Sequence, residues 1–171
     1  MSKSIDLMLY RIAASKVESI SDWPEYFMGY KLVIYKPSLF NLRKYDSEMV
    51  VNLLWYIITL GKVYILYLFD KETIVHSCYF TSKTYRFGYM SGNDINIGQA
   101  TTNPDYRGRG ILTNVLKLIP TYHVNKCEYH WGYCNIINLA SQKALERAGF
   151  EFVSYAKMNT RTKIVEPFDR I

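Results

Sequence analysis

A chain of 171 residues with 49% hydrophobic and 21% charged side chains can bury one core, and dividing it would leave two pieces too small to do so. That balance excludes an intrinsically disordered chain, and sixteen tyrosines, apolar bodies with polar tips, suit half-buried strands and pocket walls. The net charge of +6 favours an anionic partner, yet the basic residues are scattered and only Arg107-Gly108-Arg109 is a tight cluster, which argues for a phosphorylated small molecule over nucleic acid.

In chain order, residues 5–12 alternate as a first strand. Residues 15–28 are irregular or briefly helical, with Ser21-Asp22-Trp23-Pro24 offering an N-cap and an early proline. Residues 30–35 make a short strand stopped by Pro37. Asp46 or Ser47 then caps a helix that runs to Leu60 and ends at Gly61. Residues 49–69 are apolar over about the length of a membrane span, but Asn52, Thr59, Gly61 and Lys62 interrupt them, so the stretch divides into helix, break and strand.

Residues 62–69 and 73–80 form a hairpin around Asp70-Lys71-Glu72. An aromatic connection over 81–93 leads into a strand over 95–102, closed by Asn103-Pro104. Ile111, Leu112, Val115, Leu116 and Ile119 fall at helical spacing, and Pro120 ends that helix. A strand over 128–133, a helix over 138–148 stopped by Gly149 and a strand over 150–157 follow, and residues 161–165 offer a last strand. The expected fold is α/β (α+β): a single domain over residues 1–171, with a central mixed, mostly antiparallel sheet and helices on both faces.

The most informative stretch is Ile97-Gly98-Gln99-Ala100-Thr101-Thr102-Asn103-Pro104-Asp105-Tyr106-Arg107-Gly108-Arg109-Gly110-Ile111-Leu112. A strand enters a basic, glycine-rich turn that opens directly onto a helix. Free backbone N–H groups and the positive end of the helix dipole make such a start an anion site, and the glycines allow close approach. The Lys-Ser/Thr pair of a nucleotide P-loop is missing, and the glycine spacing is not that of a dinucleotide fingerprint.

Thr102-Asn103-Pro104-Asp105-Tyr106 followed by Arg107-Gly108-Arg109-Gly110 resembles the signature turn of the GCN5-related N-acetyltransferases, the GNAT superfamily. A second block is similar to the same family: Asn138-Leu139-Ala140-Ser141, then Leu145-Glu146-Arg147-Ala148-Gly149-Phe150. The resemblance covers residues 94–153 and carries no motif before them. It implies acetyl-CoA as cofactor, with the pantetheine arm along the backbone of Ala100, Thr101 and Thr102. It implies the pyrophosphate on the amides of Arg107, Gly108, Arg109, Gly110, Ile111 and Leu112, and contacts from Asn138 and Ser141 on the opposite side.

Acyl transfer to an amine needs a neutral amine, a donor for the oxyanion and a proton for the leaving thiolate. The backbone N–H near Thr101 is the natural oxyanion donor. Two positions depart from the family pattern. Leu112 stands where a Gly or Ala is usual, and Leu145 stands where many members place a tyrosine as general acid. Tyr133 is the candidate replacement acid. His76 and Asp94 are candidate bases, against the plainer readings of a satisfied strand histidine and a loop cap.

Cys78, Cys127 and Cys134 are too few and too irregular for a disulfide framework and suit a reducing cytoplasm, and the N-terminal residues lack a signal-peptide core. Cys127, His130 and Cys134 invite a metal reading that fails on parity, because Cys127 and His130 would point to opposite faces of a strand. For the acceptor, residues 85–93 and the strand after them are similar to acetyltransferase-like proteins of bacterial surface-polysaccharide synthesis. The resemblance implies an amino sugar, in particular a nucleotide-linked one. The alternatives are another small amine, a protein N-terminus, or an acyl-CoA-binding module without turnover. No nucleic-acid partner and no transmembrane segment are expected, and the oligomeric state is not legible.

Overall fold

A computed structural model describes residues 4–42, 45, 49–123 and 127–168. Its elements in chain order are β1 (Ser4–Ala13), β2 (Tyr26–Phe27), β3 (Tyr30–Tyr35), α1 (Met49–Ile58), β4 (Val63–Asp70), β5 (Thr73–Ser82) and β6 (Ile95–Thr102). Then come α2 (Ile111–His123), β7 (Tyr129–Asn135), α3 (Leu139–Arg147), β8 (Glu151–Asn159) and β9 (Val165–Phe168). The nine strands form one sheet in the order β2-β3-β4-β5-β6-β7-β1-β8-β9. Only β6 and β7 run parallel; the other neighbours are antiparallel, as the sequence predicts.

The helices cover both faces because the strands alternate. On one face Leu66, Leu68, Val75 and Phe80 pack with Ile111, Val115 and Ile119 of α2 and with Ala144 and Leu145 of α3. On the other, Leu7, Leu9, Val63 and Trp131 pack with Trp55 of α1 and with Phe87 of the β5–β6 connection. The N-terminal strand β1 lies deep in the sheet between β7 and β8. Its residues explain that placement: Leu7 and Leu9 are buried on one face and Tyr10 on the other, so β1 needs cover on both sides.

Four local expectations change. Pro120 lies inside α2, which continues to His123. A proline there removes one helical N–H, but its ring is buried, and the last turn is held by a hydrogen bond from Thr121 Oγ1 to Leu118 O (2.7 Å) and one from Ile20 N to Thr121 O (3.2 Å). No helix follows Ser21-Asp22. Instead β2 turns into β3 through Met28 (φ 54°) and Gly29 (φ 81°), a pair of left-handed residues that matches the twist of a tight hairpin. The last strand starts at Val165, because Asn159 Oδ1 accepts from the amides of Arg161 (2.9 Å) and Thr162 (3.1 Å) and holds that stretch in a turn. Strand β7 begins at Tyr129, so Cys127 precedes it. The expected cap at Asp46 or Ser47 lies outside the described residues; α1 is described from Met49, and Gly61 (φ 75°) closes it by bonding to Tyr56 O at 2.8 Å.

Leu145 of α3 sits directly on the backbone of Gly132 in β7. A Cβ added there would lie 2.6 Å from Leu145 Cδ2. Gly132→Ala is therefore expected to destabilise the fold by about 1–3 kcal/mol through overpacking, read as a lower urea midpoint at unchanged slope. Restoration by Leu145→Ala in the same chain would confirm the contact as the cause.

Candidate functional site

The parallel ladder between β6 and β7 is short. It pairs Ile95 with His130, Asn96 with Trp131 and Ile97 with Gly132, and goes no further. Beyond it β6 stays with β5, through Ser77 opposite Thr101 and His76 opposite Thr102, while β7 stays with β1. The divergence has a local cause. Tyr79 pairs with Gly98 but Ser77 pairs with Thr101, so β6 carries an extra residue, and Gln99 sits there at φ 49°. Such a bulge bends its strand and increases the twist.

The diverging strands leave a groove of about 560 Å³. Its walls are Ala100, Thr101 and Thr102 of β6, the turn and helix start from Tyr106 to Thr113 with Arg109 left out, and Asn138, Ala140, Ser141 and Ala144 of α3. An inner chamber of about 200 Å³ adjoins it, reaching Gly98, Gln99, Tyr133, Cys134 and Leu145. Leu112 lines both spaces, so the side chain that departs from the family pattern shapes the passage between them.

The basic turn is built as the sequence implies. Asn103 Oδ1 accepts from Asp105 N (3.1 Å) and starts the short helical turn Pro104–Tyr106. Gly108 (φ 77°) and Gly110 (φ 72°) both adopt the left-handed region, and a Cβ at Gly108 would enter open space. Gly110 O accepts from Asn114 N at 3.1 Å, so the amides of the first α2 turn have no carbonyl of their own helix to bond, the arrangement that suits a helix start to an anion. No acidic side chain stands in that turn.

The two arginines separate. Arg107 lines the groove and bonds through Nε to Thr102 O (3.2 Å). Arg109 turns outward: its guanidinium lies 4.9 Å over the Tyr106 ring and bonds to Tyr30 Oη (3.3 Å) and Asp105 O (3.2 Å). On the opposite wall Asn138 caps α3 by accepting from Ser141 N (3.1 Å), which leaves its amide nitrogen as the donor toward the groove.

Tyr133 stands where the strands part. A Cβ on Gly98 would lie 3.3 Å from its ring and 3.5 Å from its hydroxyl, so the phenol covers the residue just before the bulge. Burial raises its pKa, with the nearby Arg86 charge opposing, and the hydroxyl stays protonated at neutral pH.

His76 is brought behind the groove wall and not into it. Its Nδ1 meets Thr102 Oγ1 at 2.8 Å, its ring is fully buried, and Nε2 has no partner among the described residues. Burial lowers its pKa from 6.5 to about 4. The unfolded chain thus binds this proton more readily. Stability from the neutral ring is complete above about pH 6.5 and lost as the pH falls toward 4, by about 3 kcal/mol. His76→Gln is expected to flatten that acid limb in urea titrations run from pH 7 to pH 4.

Asp94 is wholly occupied, accepting from Ser91 N (2.9 Å), Tyr129 N (3.0 Å) and Trp131 Nε1 (2.8 Å). Cys127 and His130 do not point apart, since Cys127 Sγ lies 3.3 Å from His130 Nε2; the parity argument fails because Cys127 precedes the strand. No group of three or more metal-ligating side chains occurs among the described residues. No described helix is long and apolar enough to cross a membrane. Of the connection aromatics, Phe87 belongs to the core and Tyr85 is 63% exposed.

Residue-level reading of the sequence missed the bulge at Gln99 and the buried Arg86. A glycine inside a strand, Gly98, was the available signal for the first. For Arg86 there was none.

No family model and no curated protein matches the sequence. Among solved structures, the chain is similar to one from Novosphingobium aromaticivorans assigned to the GNAT acetyltransferase family, at TM-score 0.55 and 15% identity over 91% of this chain and 63% of that one. A GNAT-family acetyltransferase from Colwellia psychrerythraea gives TM-score 0.55 and 14% identity over 90% of this chain and 55% of that one. A tandem GNAT protein from the clavulanic acid biosynthesis pathway gives TM-score 0.54 and 14% identity over 91% of this chain and 54% of that one. The chain therefore spans 54–63% of the length of these three structures, and what it shares with them is the GNAT fold.

Proposed function

We propose that the protein is an acetyl-CoA-dependent N-acetyltransferase acting on a small-molecule amine, with residues 1–171 folding as one domain that works in the cytoplasm. The observation that carries this reading is the groove itself. It combines an open strand edge, an unpaired helix start behind two left-handed glycines, and an arginine on one wall. That donor set fits a long, phosphorylated, amide-bearing arm, and the solved structures of the same fold support it.

In this reading the β6 backbone at Ala100, Thr101 and Thr102 binds the pantetheine amides as an added strand would. The amides of the turn and the first α2 residues, with Arg107, hold the pyrophosphate; Asn138 and Ser141 close the other side. Bound acetyl-CoA supplies an activated acyl group. The protein's own part is to fix that group against the amine, exclude water, offer a backbone N–H near Thr101 to the carbonyl oxygen, and hold a proton on Tyr133 near the leaving sulfur. A buried phenol with a raised pKa suits proton donation. Tyr133→Phe is expected to lower kcat about 100-fold with acetyl-CoA affinity unchanged, read by thiol release and calorimetry. An unchanged kcat removes Tyr133 from the chemistry.

For the acceptor we propose an amino sugar, in particular a nucleotide-linked one. Its support is the likeness of residues 85–98 and their surroundings to proteins of surface-polysaccharide synthesis, with exposed Tyr85 available to stack on a ring. A panel of amino sugars, their nucleotide-linked forms, polyamines and peptides, each scored by CoA release, tests it. Release with polyamines or peptides alone would refute the sugar.

One observation favours a second reading. Leu145 fills the place of the usual acid and packs on Gly132, so that position holds no proton. A non-catalytic acyl-CoA-binding module predicts acetyl-CoA binding with no transfer to any acceptor.

A further inference from the structure

The inner chamber meets the groove at a neck. Ala100 of β6, Leu112 of α2, and Asn138 and Ser141 of α3 line both spaces. Past that neck the chamber, about 200 Å³, has no charged side chain in its lining, and Ile97, Leu116, Cys134 and Leu145 form buried apolar walls. The Cys134 thiol belongs to that apolar surface, because burial, with the nearby Glu146 charge, pushes its pKa up to about 11 and keeps it neutral. The outer groove is of another character, with Arg107 on its wall and the start of α2 opening onto it. The two positions that depart from the GNAT pattern, Leu112 and Leu145, are both aliphatic, and both line the chamber.

The order of residues along β6 says which part of a bound coenzyme would reach this space. With the pyrophosphate at the turn and the arm along Thr102, Thr101 and Ala100, the arm runs back from the C-terminal end of β6. Its sulfur then arrives beyond Ala100, beside Gly98 and Gln99, where the chamber lies. The groove takes the charged and amide-bearing parts, and the chamber takes the thioester and the chain it carries. At roughly 30 Å³ for each non-hydrogen atom, the chamber holds about six such atoms. The head of an acetyl thioester has four, counting sulfur and oxygen, and that of a butyryl thioester has six. Apolar walls favour the longer chain, since each methylene moved from water onto them is stabilising.

We propose that the inner chamber is an acyl-chain pocket sized for about four carbons, so that this protein holds butyryl-CoA more tightly than acetyl-CoA. Leu112, Leu116 and Leu145 set that length. The proposal rests on the coenzyme A part of the acetyltransferase reading and names the acyl class that the same site takes; it holds whether or not transfer to an amine follows. Leu116 and Leu145 wall the chamber but not the groove, so substitutions there change the room for the chain and leave the phosphate end alone.

The test is a calorimetric titration of CoA, acetyl-CoA, butyryl-CoA and octanoyl-CoA into the full chain, for wild type, Leu116→Phe and Leu145→Ala. For the wild type, affinity is expected to rise about tenfold from acetyl to butyryl, the effect of two buried methylenes, and to fall again at octanoyl. Leu116→Phe, which fills the chamber, should erase the gain at butyryl, whereas Leu145→Ala, which enlarges it, should move the optimum toward octanoyl. Circular dichroism checks that each variant is folded, and the wild-type series decides the question alone if neither is. No gain from acetyl to butyryl overturns the proposal, and so does a gain that continues through octanoyl, which would mark an open apolar surface and no chamber of this size. Equal binding of CoA and all three esters overturns the acyl pocket and leaves the coenzyme site standing. Absence of any binding by the folded wild type overturns both.

Discussion

Asp94→Ala is expected to destabilise the protein by about 3–4 kcal/mol, the largest loss of any single substitution considered. The carboxylate is 1% exposed and receives two amides and an indole N–H, all within 3.0 Å. Removing it strands three donors at once, the buried Trp131 indole N–H among them. The position also matters, because Asp94 immediately precedes β6 and grips Tyr129 and Trp131 of β7 where the parallel β6–β7 ladder begins. Asp94→Asn keeps an acceptor but turns an amide N–H toward a donor, so an intermediate loss is expected. Urea unfolding followed by tryptophan fluorescence measures both. A loss under about 1 kcal/mol for the alanine variant would show that water replaces the carboxylate and that the ladder is held elsewhere.

The second large effect separates two neighbouring arginines. Arg107→Glu is expected to weaken acetyl-CoA binding by about 30- to 100-fold, the loss of a charge-assisted contact with phosphate plus repulsion. Arg109→Glu is expected to weaken it only about threefold, since that guanidinium is committed to Tyr30, Asp105 and the Tyr106 ring and does not line the groove. Both effects should shrink with added salt, more so for Arg109, which acts only at a distance. Equal losses from the two variants would mean that the turn binds through its overall charge and that the position of Arg107 carries no weight.

The legible and illegible parts of this chain divide along physical lines. The run from Ala100 to Leu112 could be read because its information is local: a strand, an asparagine-proline stop, left-handed glycines and a helix start all lie within a few residues. The cap at Asn138 and the stop at Gly149 were legible for the same reason. What could not be read depends on partners far away in sequence. That β1 would insert between β7 and β8 is a choice among pairings, and its two-sided burial only makes sense once they exist. The bulge at Gln99 is a mismatch of register between two strands, which the neighbouring Gly98 hints at but only the pairing of β6 with β5 reveals. Pro120 shows tertiary packing overriding a helix breaker. Arg86 looked like one more scattered cation, and only the fold reveals that aromatic rings enclose it.

The central claim is that the groove between β6 and β7 holds acetyl-CoA. Its most direct test is a calorimetric titration of acetyl-CoA into the wild-type chain, beside a Gly110→Val variant shown to be folded. Gly110 adopts φ 72° at the mouth of the helix, where a branched side chain is strained and crowds the amides. The account predicts one saturable site of roughly micromolar affinity in the wild type and no measurable heat in the variant. A folded wild type that gives no heat, or a variant that binds as tightly, would contradict it.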